Sequence, residues 1–156
     1  MSFIAGPYSL TYGAADLGIV EDAIRQELTA TVDVVRGDNL GDSVQDGVYR
    51  GGNMFLDMVL QEYNAAAAPD AFWPWNAVEG VVGAIGRLMS GVAAALVLTK
   101  IAGSTATPST RTYGKVVLAE NYPVSMLLGS RLKNVPLRLR CLPYKPASDT
   151  VWFVDS

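Results

Sequence analysis

Residues 37–63 read GDNLGDSVQDGVYRGGNMFLDMVLQEY, a polar stretch rich in glycine and aspartate that runs directly into an apolar segment. The stretch follows a strand-like segment, Ile24–Arg36. A long loop between two strands has little core of its own, so contacts with something else usually stabilise it. We therefore predict that Gly37–Gly52 is a loop that touches another molecule.

The segments on both sides of this loop alternate apolar and polar residues, which is the period of a strand with one buried face. On the N-terminal side the apolar set is Leu28, Ala30, Val32 and Val34, and on the C-terminal side it is Met54, Leu56, Met58 and Leu60. Further strands are predicted at Tyr8–Tyr12, after Ala95, at Tyr113–Ala119, at Val135–Leu142 and at Trp152–Val154, whereas Pro123–Ser130 fits a short helix or an irregular crossing. Six or seven short strands favour an antiparallel β-sandwich or β-barrel.

One helix is predicted inside this mainly β chain. Asn76 is a suitable N-cap, and Glu79 follows three positions later, close to a capping box. The apolar residues then recur at helical spacing: they are Val78, Val81, Val82, Ile85, Leu88 and Met89. The opposite side carries Gly80, Gly83 and Gly86, and an interior glycine costs about 1 kcal/mol relative to alanine. We expect this smooth face to let another backbone, from the same chain or a neighbour, approach closely.

The composition predicts one domain, residues 1–156, that is not an enzyme and holds no cofactor or metal. The chain has no histidine, which removes the commonest general base and metal ligand. Its one cysteine, Cys141, shares the parity of Leu137 and Leu139 and is predicted to be buried. The acids Asp38, Asp42 and Asp46 do not follow the spacing of a calcium loop. The glycines fit neither a dinucleotide fingerprint nor a P-loop.

The charge and the hydropathy of the chain indicate whether it binds nucleic acids or membranes. With 12 basic and 15 acidic residues the net charge is −3, so the chain lacks the excess of basic residues that binds the phosphates of nucleic acids. The N-terminus lacks the pattern of a signal peptide. The stretch Val78–Leu98 is long and apolar, but Arg87 at its centre and its many glycines argue against a membrane span. We expect a soluble chain with no membrane partner, and the lone cysteine fits assembly in a reducing cytoplasm.

In the order of its sequence segments, the chain from Gly6 to Phe153 resembles the tail tube proteins of long-tailed bacteriophages. The resemblance is carried by the GPYSLTY opening with LGIVEDAIRQEL, the loop GDNLGDSVQDGVYRGGNMF, the predicted helix after WPW, and the closing KNVPLRLRCLPY. Proteins of that family polymerise as stacked hexameric rings around the channel for genome ejection. The resemblance implies a virion structural protein whose edge strands pair with those of its neighbours.

The resemblance also implies roles for residues and partners. The loop residues that would reach onto an adjacent ring or subunit are Asp38, Asn39, Asp42, Asp46, Tyr49 and Arg50. Glu27, Asp33 and Asp57, whose parity is opposite to that of their apolar neighbours, are candidates for the channel surface or are ordinary outward-facing charges. The partners implied are sister copies and sheath, baseplate or tail terminator proteins, with double-stranded DNA passing through without specific binding. The tail would be assembled in the host cytoplasm.

Two other functions remain open at this point. A phage head decoration protein or a neck or connector protein would also be small and rich in interface loops. A small ligand-binding β-domain would need exposed tryptophans, for which Trp73, Trp75 and Trp152 are available. The aromatic residues around Pro74 are predicted instead to wedge the helix entrance into the core.

Overall fold

The computed structural model describes residues 2–4, 7–20, 23–37, 39, 41–62, 75–76, 81–82, 85–103, 108–123, 135–144 and 153–155. The strands are β1 (Ser2–Ile4), β2 (Tyr8–Tyr12), β3 (Ala15–Val20), β4 (Ile24–Arg36), β5 (Val44–Glu62), β6 (Trp75–Asn76), β7 (Val81–Val82), β8 (Ala94–Lys100), β9 (Thr110–Leu118), β10 (Val135–Cys141) and β11 (Val154–Asp155), with a 3₁₀ turn at Met89–Gly91.

All strand pairs in the described ranges are antiparallel, and six strands close into a barrel in the order β5-β10-β9-β8-β2-β3. The closure is the pairing of Val20 in β3 with Leu60 in β5. Closing a sheet on itself removes exposed edges. The predicted mainly β fold is therefore confirmed. Strand β4 continues the sheet from β5, β1 pairs with β4, and β11 pairs with β9.

The barrel encloses the core, and the alternating residues of β5 behave as predicted. Met54, Leu56, Met58 and Leu60 are buried. Cys141 is buried beside Leu137 and Leu139, also as predicted. The rest of the core comes from the other strands: Tyr8, Leu10, Tyr12, Leu17, Val20, Ile24, Leu96, Leu98, Tyr113, Val116 and Leu118. Burial of these side chains is the main stabilising contribution to the fold.

Beyond the barrel, β4 and β5 continue together as a two-stranded projection. We call this projection the arm and define it as Leu28–Arg36 of β4 and Val44–Gly52 of β5, with the connection 37–43. The predicted loop at Gly37–Gly52 is therefore wrong from residue 44 onward, where the chain is already a strand. Glycine is needed there because a Cβ on Gly52 would lie 2.5 Å from the Thr29 carbonyl oxygen.

The predicted burial of one face of β4 is also wrong beyond Gln26. Leu28 is 53% exposed, and Val32 and Val34 are exposed as well. The alternation is real, since Ile24 and Gln26 on the same side are buried. The arm is exposed because it reaches past the end of the barrel, where no second layer from the described residues covers it.

The predicted helix after Asn76 is wrong in the described residues, which contain no helix of seven or more residues. Strand β6 pairs with β7, so Asn76 lies opposite Val81. Gly86 has φ of +86°, a left-handed conformation that cannot continue a right-handed helix. Gly80 and Gly83 of the proposed packing face lie outside the described residues, as do Trp73, Trp152 and residues 124–130. Among the described residues, the structure contains no helical segment with the length and hydropathy of a membrane span.

Candidate functional site

The arm consists mostly of exposed residues and has strand edges without a partner among the described residues. Nine consecutive residues of β4, Leu28–Arg36, are exposed, and at roughly 3.3 Å per residue they span about 30 Å. The β5 partner strand is exposed from Val44 to Arg50. Beyond the short pairing of β1 with residues 24–26, no described strand pairs with the outer edge of β4. The arm therefore presents two faces and two open edges to its surroundings.

One face of the arm is apolar. Residues opposite one another in an antiparallel pair lie on the same face. The register pairs Leu28 with Met54, Ala30 with Gly52, Val32 with Tyr49, Val34 with Gly47 and Arg36 with Val44. We call the side formed by these pairs the apolar face; its exposed apolar members are Leu28, Ala30, Val32, Val34, Val44 and Tyr49. A Cβ on Gly47 would meet the Val32 side chain, which leaves no room there for a larger residue.

The apolar face is the direct continuation of the barrel core. Ile24 and Gln26 precede Leu28 on the same side of β4, and both are buried. On β5, Met54 and Leu56 follow the arm on this same side, and both are buried. An apolar sheet face stabilises a protein only when a second layer covers it. The arm lacks that layer within the described part of the chain.

The opposite side, which we call the polar face, carries all three carboxylates proposed from the sequence for the channel surface. Glu27, Asp33 and Asp57 share one side of the β4–β5 sheet, since Glu27 lies opposite Phe55, Asp33 opposite Val48, and Asp57 opposite Arg25. Glu27 and Asp57 lie over the barrel, and Asp33 lies farther out on the arm. Thr29 and Thr31 lie between them and are exposed.

Each of these carboxylates is paired with an arginine. Arg138 Nη1 lies 3.2 Å from both carboxylate oxygens of Asp57, and its Nη2 lies 3.7 Å from Glu27 Oε1. Arg25 Nη2 lies 3.5 Å from Glu27 Oε2. On the arm, Arg50 Nε donates to Asp33 Oδ2 over 2.5 Å. The three carboxylates proposed for the channel surface are thus each balanced by an arginine.

The other arginine of β10, Arg140, extends this network toward the end of β9. Its Nε donates to Glu120 Oε2 over 2.8 Å, its Nη2 also contacts Glu120, and its Nη1 donates to Asn53 Oδ1 over 2.9 Å. These bonds from Arg140 hold the pKa of the Glu120 carboxyl below its usual value. The guanidinium carbons of Arg138 and Arg140 lie 4.4 Å and 4.5 Å from the centre of the Phe55 ring. The two arginines therefore make cation–π contacts with one aromatic ring.

We call Arg25, Arg138 and Arg140, with Glu27, Asp57 and Glu120, the arginine cluster. Sequence reasoning missed it, although one signal was present. In VPLRLRCLPY the outward positions between Leu137, Leu139 and Cys141 are both arginines. Strand alternation places those arginines on the side opposite the core. Their partners come from distant strands, and spacing along one strand does not reveal them.

The six loop candidates do not form a single surface. Asn39 and Asp42 lie in the connection at the end of the arm, and Asp38 lies outside the described residues. Asp46 accepts a 2.7 Å hydrogen bond from the Gly47 amide. Tyr49 belongs to the apolar face, whereas Arg50 pairs with Asp33. The candidates are thus divided between the end of the arm, the apolar face and an ion pair.

The described residues contain no group of three or more histidine, cysteine or acidic residues placed to hold a metal ion. Burial raises the pKa of the Cys141 thiol to about 12, so this sulfur is a poor nucleophile. The most distinctive features are the apolar face and the arginine cluster.

No protein-family model, curated protein or solved structure matches the chain. Function is therefore inferred from the arm and the arginine cluster, together with the order of sequence parts described above.

Proposed function

We propose that the chain is a virion structural protein, the tail tube subunit of a long-tailed bacteriophage. In this proposal it polymerises as stacked rings, hexameric by the family resemblance, that form the channel for genome ejection. The observation that carries the proposal is the bare apolar face of the arm, which continues the barrel core without a covering layer from the described residues. A sister copy supplies that layer in a tube.

The energetics support self-association through the arm. Covering a half-exposed valine or leucine stabilises a complex by about 1 kcal/mol, so the apolar face offers several kcal/mol per copy before the cost of association. The open edges of the arm add backbone hydrogen bonds to a neighbouring strand. A contact between two different surfaces of the same chain repeats from copy to copy, which generates rings or filaments.

The polar face supports a role as the wall of the channel. Duplex DNA carries one negative charge per roughly 1.7 Å of its axis, and free lysine or arginine side chains bind it by releasing counterions. In the arginine cluster, Arg138 and Arg140 are already paired with Asp57, Glu27 and Glu120. A wall of paired charges leaves DNA mobile. We therefore assign Glu27, Asp33 and Asp57 to the channel surface as part of this proposal.

The proposed tube also implies the partners and the location of the subunit. Sister copies are the main partner, and sheath, baseplate or tail terminator proteins meet the tube at its surface or its ends. Double-stranded DNA passes without specific binding. The subunit assembles in the host cytoplasm and resides in the virion tail.

Electron microscopy of the purified protein, with mass photometry, tests this proposal. Long hollow tubes or stacked rings of uniform bore are the expected result. Isolated rings or trimers that never stack would favour a head decoration, neck or connector protein. A strictly monomeric protein whose tryptophan fluorescence is quenched by a sugar would favour a ligand-binding domain, and it would overturn the proposal.

A further inference from the structure

The outer part of the arm differs from the inner part in having apolar residues on both sides. We call residues 32–36 and 44–49 the distal arm. Val32, Val34, Val44 and Tyr49 lie on its apolar face. On its other side, Val35 and Val48 are 46% and 52% exposed. Asp33 and Asp46 lie on that same side, opposite Val48 and Val35. The distal arm is therefore suited to docking through its apolar face, while the side that carries Asp33 is partly polar.

The end of the arm is acidic. Its described residues include two aspartates, Asp42 and Asp46, and one arginine, Arg36, which gives a net charge of −1. The Arg36 guanidinium contacts the backbone oxygen of Asp42 rather than its carboxylate. No salt bridge joins Asp42 or Asp46 to another described residue. A surface that receives the distal arm should be apolar and should carry a positive charge.

The chain itself contains a segment of that kind. Residues 85–88, which we call the Ile85–Leu88 turn, read IGRL. Ile85 is fully exposed, at 106% of its reference area, and Leu88 is 74% exposed. Arg87 lies between them, is exposed, and forms no salt bridge with a described residue. Gly86, with φ of +86°, provides the bend in this segment.

We propose that the distal arm of one copy docks against the Ile85–Leu88 turn of a neighbouring copy, with Arg87 facing Asp42 and Asp46. This inference rests on the proposed function, because it names the receptor for the arm in a self-assembling protein. The apolar residues of both segments are exposed in one chain, so the contact lies between copies. It joins two different surfaces and therefore repeats without limit or closes into a ring.

Engineered disulfides test the contact directly. The variant Val34→Cys/Ile85→Cys, with the first cysteine on the apolar face, is assembled and oxidised, and a denaturing non-reducing gel is expected to show a ladder of linked copies. The control is Thr29→Cys/Ile85→Cys, in which the first cysteine lies on the polar face of the inner arm and should give no ladder. The native Cys141 is buried and does not interfere. A ladder from the control alone, or from neither variant, contradicts the docking.

A charge exchange provides a second, independent test. Arg87→Glu is expected to raise the concentration needed for assembly by about tenfold, since it places like charges together. Asp42→Arg/Asp46→Arg should do the same, and the triple variant should restore assembly. Lys100→Glu, an equal charge change at another exposed residue, is the control and should assemble normally.

The outcomes separate this inference from the proposed function. If the wild-type protein forms tubes but the disulfide and charge-exchange tests both fail, the docking of the arm on the Ile85–Leu88 turn is wrong and the tube subunit stands. If the wild-type protein does not assemble, the proposed function and the docking fail together.

Discussion

The Tyr113 hydroxyl donates a 2.8 Å hydrogen bond to Gln26 Oε1 inside the barrel. Gln26 is the last buried residue of β4, and Leu28, the next residue on the same side, is already exposed. The bond links β9 to β4, which are not neighbours in the sheet. It therefore fixes the root of the arm, the residue Gln26 just before Leu28, to the opposite part of the barrel wall.

Replacing Tyr113 with phenylalanine should weaken this root. The change leaves the buried Gln26 amide without its partner, which costs about 1–3 kcal/mol in the free energy of unfolding. Urea denaturation measures that loss, and hydrogen exchange at residues 26–28 should speed up. Tyr49→Phe is the control, because its side chain is exposed on the arm, and the unfolding free energy should change by no more than about 0.5 kcal/mol. Equal stability of Tyr113→Phe and the wild type would refute the anchoring role.

The buried thiol of Cys141 predicts a dependence on alkaline pH. Burial raises its pKa from 9.0 to about 12 in the folded protein. The unfolded chain releases this proton near pH 9, whereas the folded chain retains it, so the contribution to stability is full below pH 9 and is lost as the pH rises from 9 to 12. A thiol reagent at pH 9 should react slowly with the native protein and rapidly in urea. Fast reaction of the native protein at that pH would show that the thiol is accessible and ionised.

The balance of charge on the polar face predicts a gain of DNA binding when one carboxylate is neutralised. Asp57→Asn removes the closest acidic partner of Arg138 and leaves that guanidinium more available to a phosphate. Fluorescence anisotropy with duplex DNA at low salt should show tighter binding, and the salt dependence should steepen by about one unit of slope. Asp16→Asn, the same charge change in the β2–β3 hairpin, is the control. Identical DNA binding by both variants would argue against the balanced wall.

The close approach of the two arm strands predicts a selective effect at Gly52. A Cβ there would lie 2.5 Å from the Thr29 carbonyl oxygen and 3.2 Å from the Tyr49 hydroxyl, so Gly52→Ala must displace the strands. We expect lower assembly with an intact barrel, observed as a reduced polymer yield and an unchanged near-ultraviolet circular dichroism spectrum. Gly91→Ala is the matched control, since a methyl group at that position would meet no described atom within 4 Å beyond its chain neighbours. Normal assembly of Gly52→Ala would mean that the arm tolerates the displacement.

Local alternation predicted the strands better than it predicted their surroundings. The pattern at Met54–Leu60 and the pattern at Leu28–Val34 are alike in sequence, yet the first set is buried and the second is exposed. Burial depends on where the barrel ends, which is a property of the whole sheet and not of either strand. The same limit applies to Arg138, whose partners Asp57 and Glu27 come from β5 and β4.

Local sequence signals caused the two errors in secondary structure. Gly47, Gly51 and Gly52 suggested a loop, but they lie in β5, where Gly47 and Gly52 leave room for the Val32 side chain and the Thr29 carbonyl oxygen. Asn76 and the spacing of the apolar residues suggested a helix, but Trp75–Asn76 pairs with Val81–Val82. Short glycine-rich segments have weak intrinsic preferences, so pairing with other strands decides their structure.

The proposed tube depends on self-association through the apolar face of the arm. Sedimentation velocity can compare the wild type with Leu28→Ser/Val32→Ser/Val34→Ser, and Thr29→Ser/Thr31→Ser on the polar face is the control. We predict that the wild type and the control form large assemblies, whereas the triple variant remains a folded monomer. Assembly of the triple variant at the wild-type concentration, or a wild type that stays monomeric at every concentration, would show that the apolar face does not drive association.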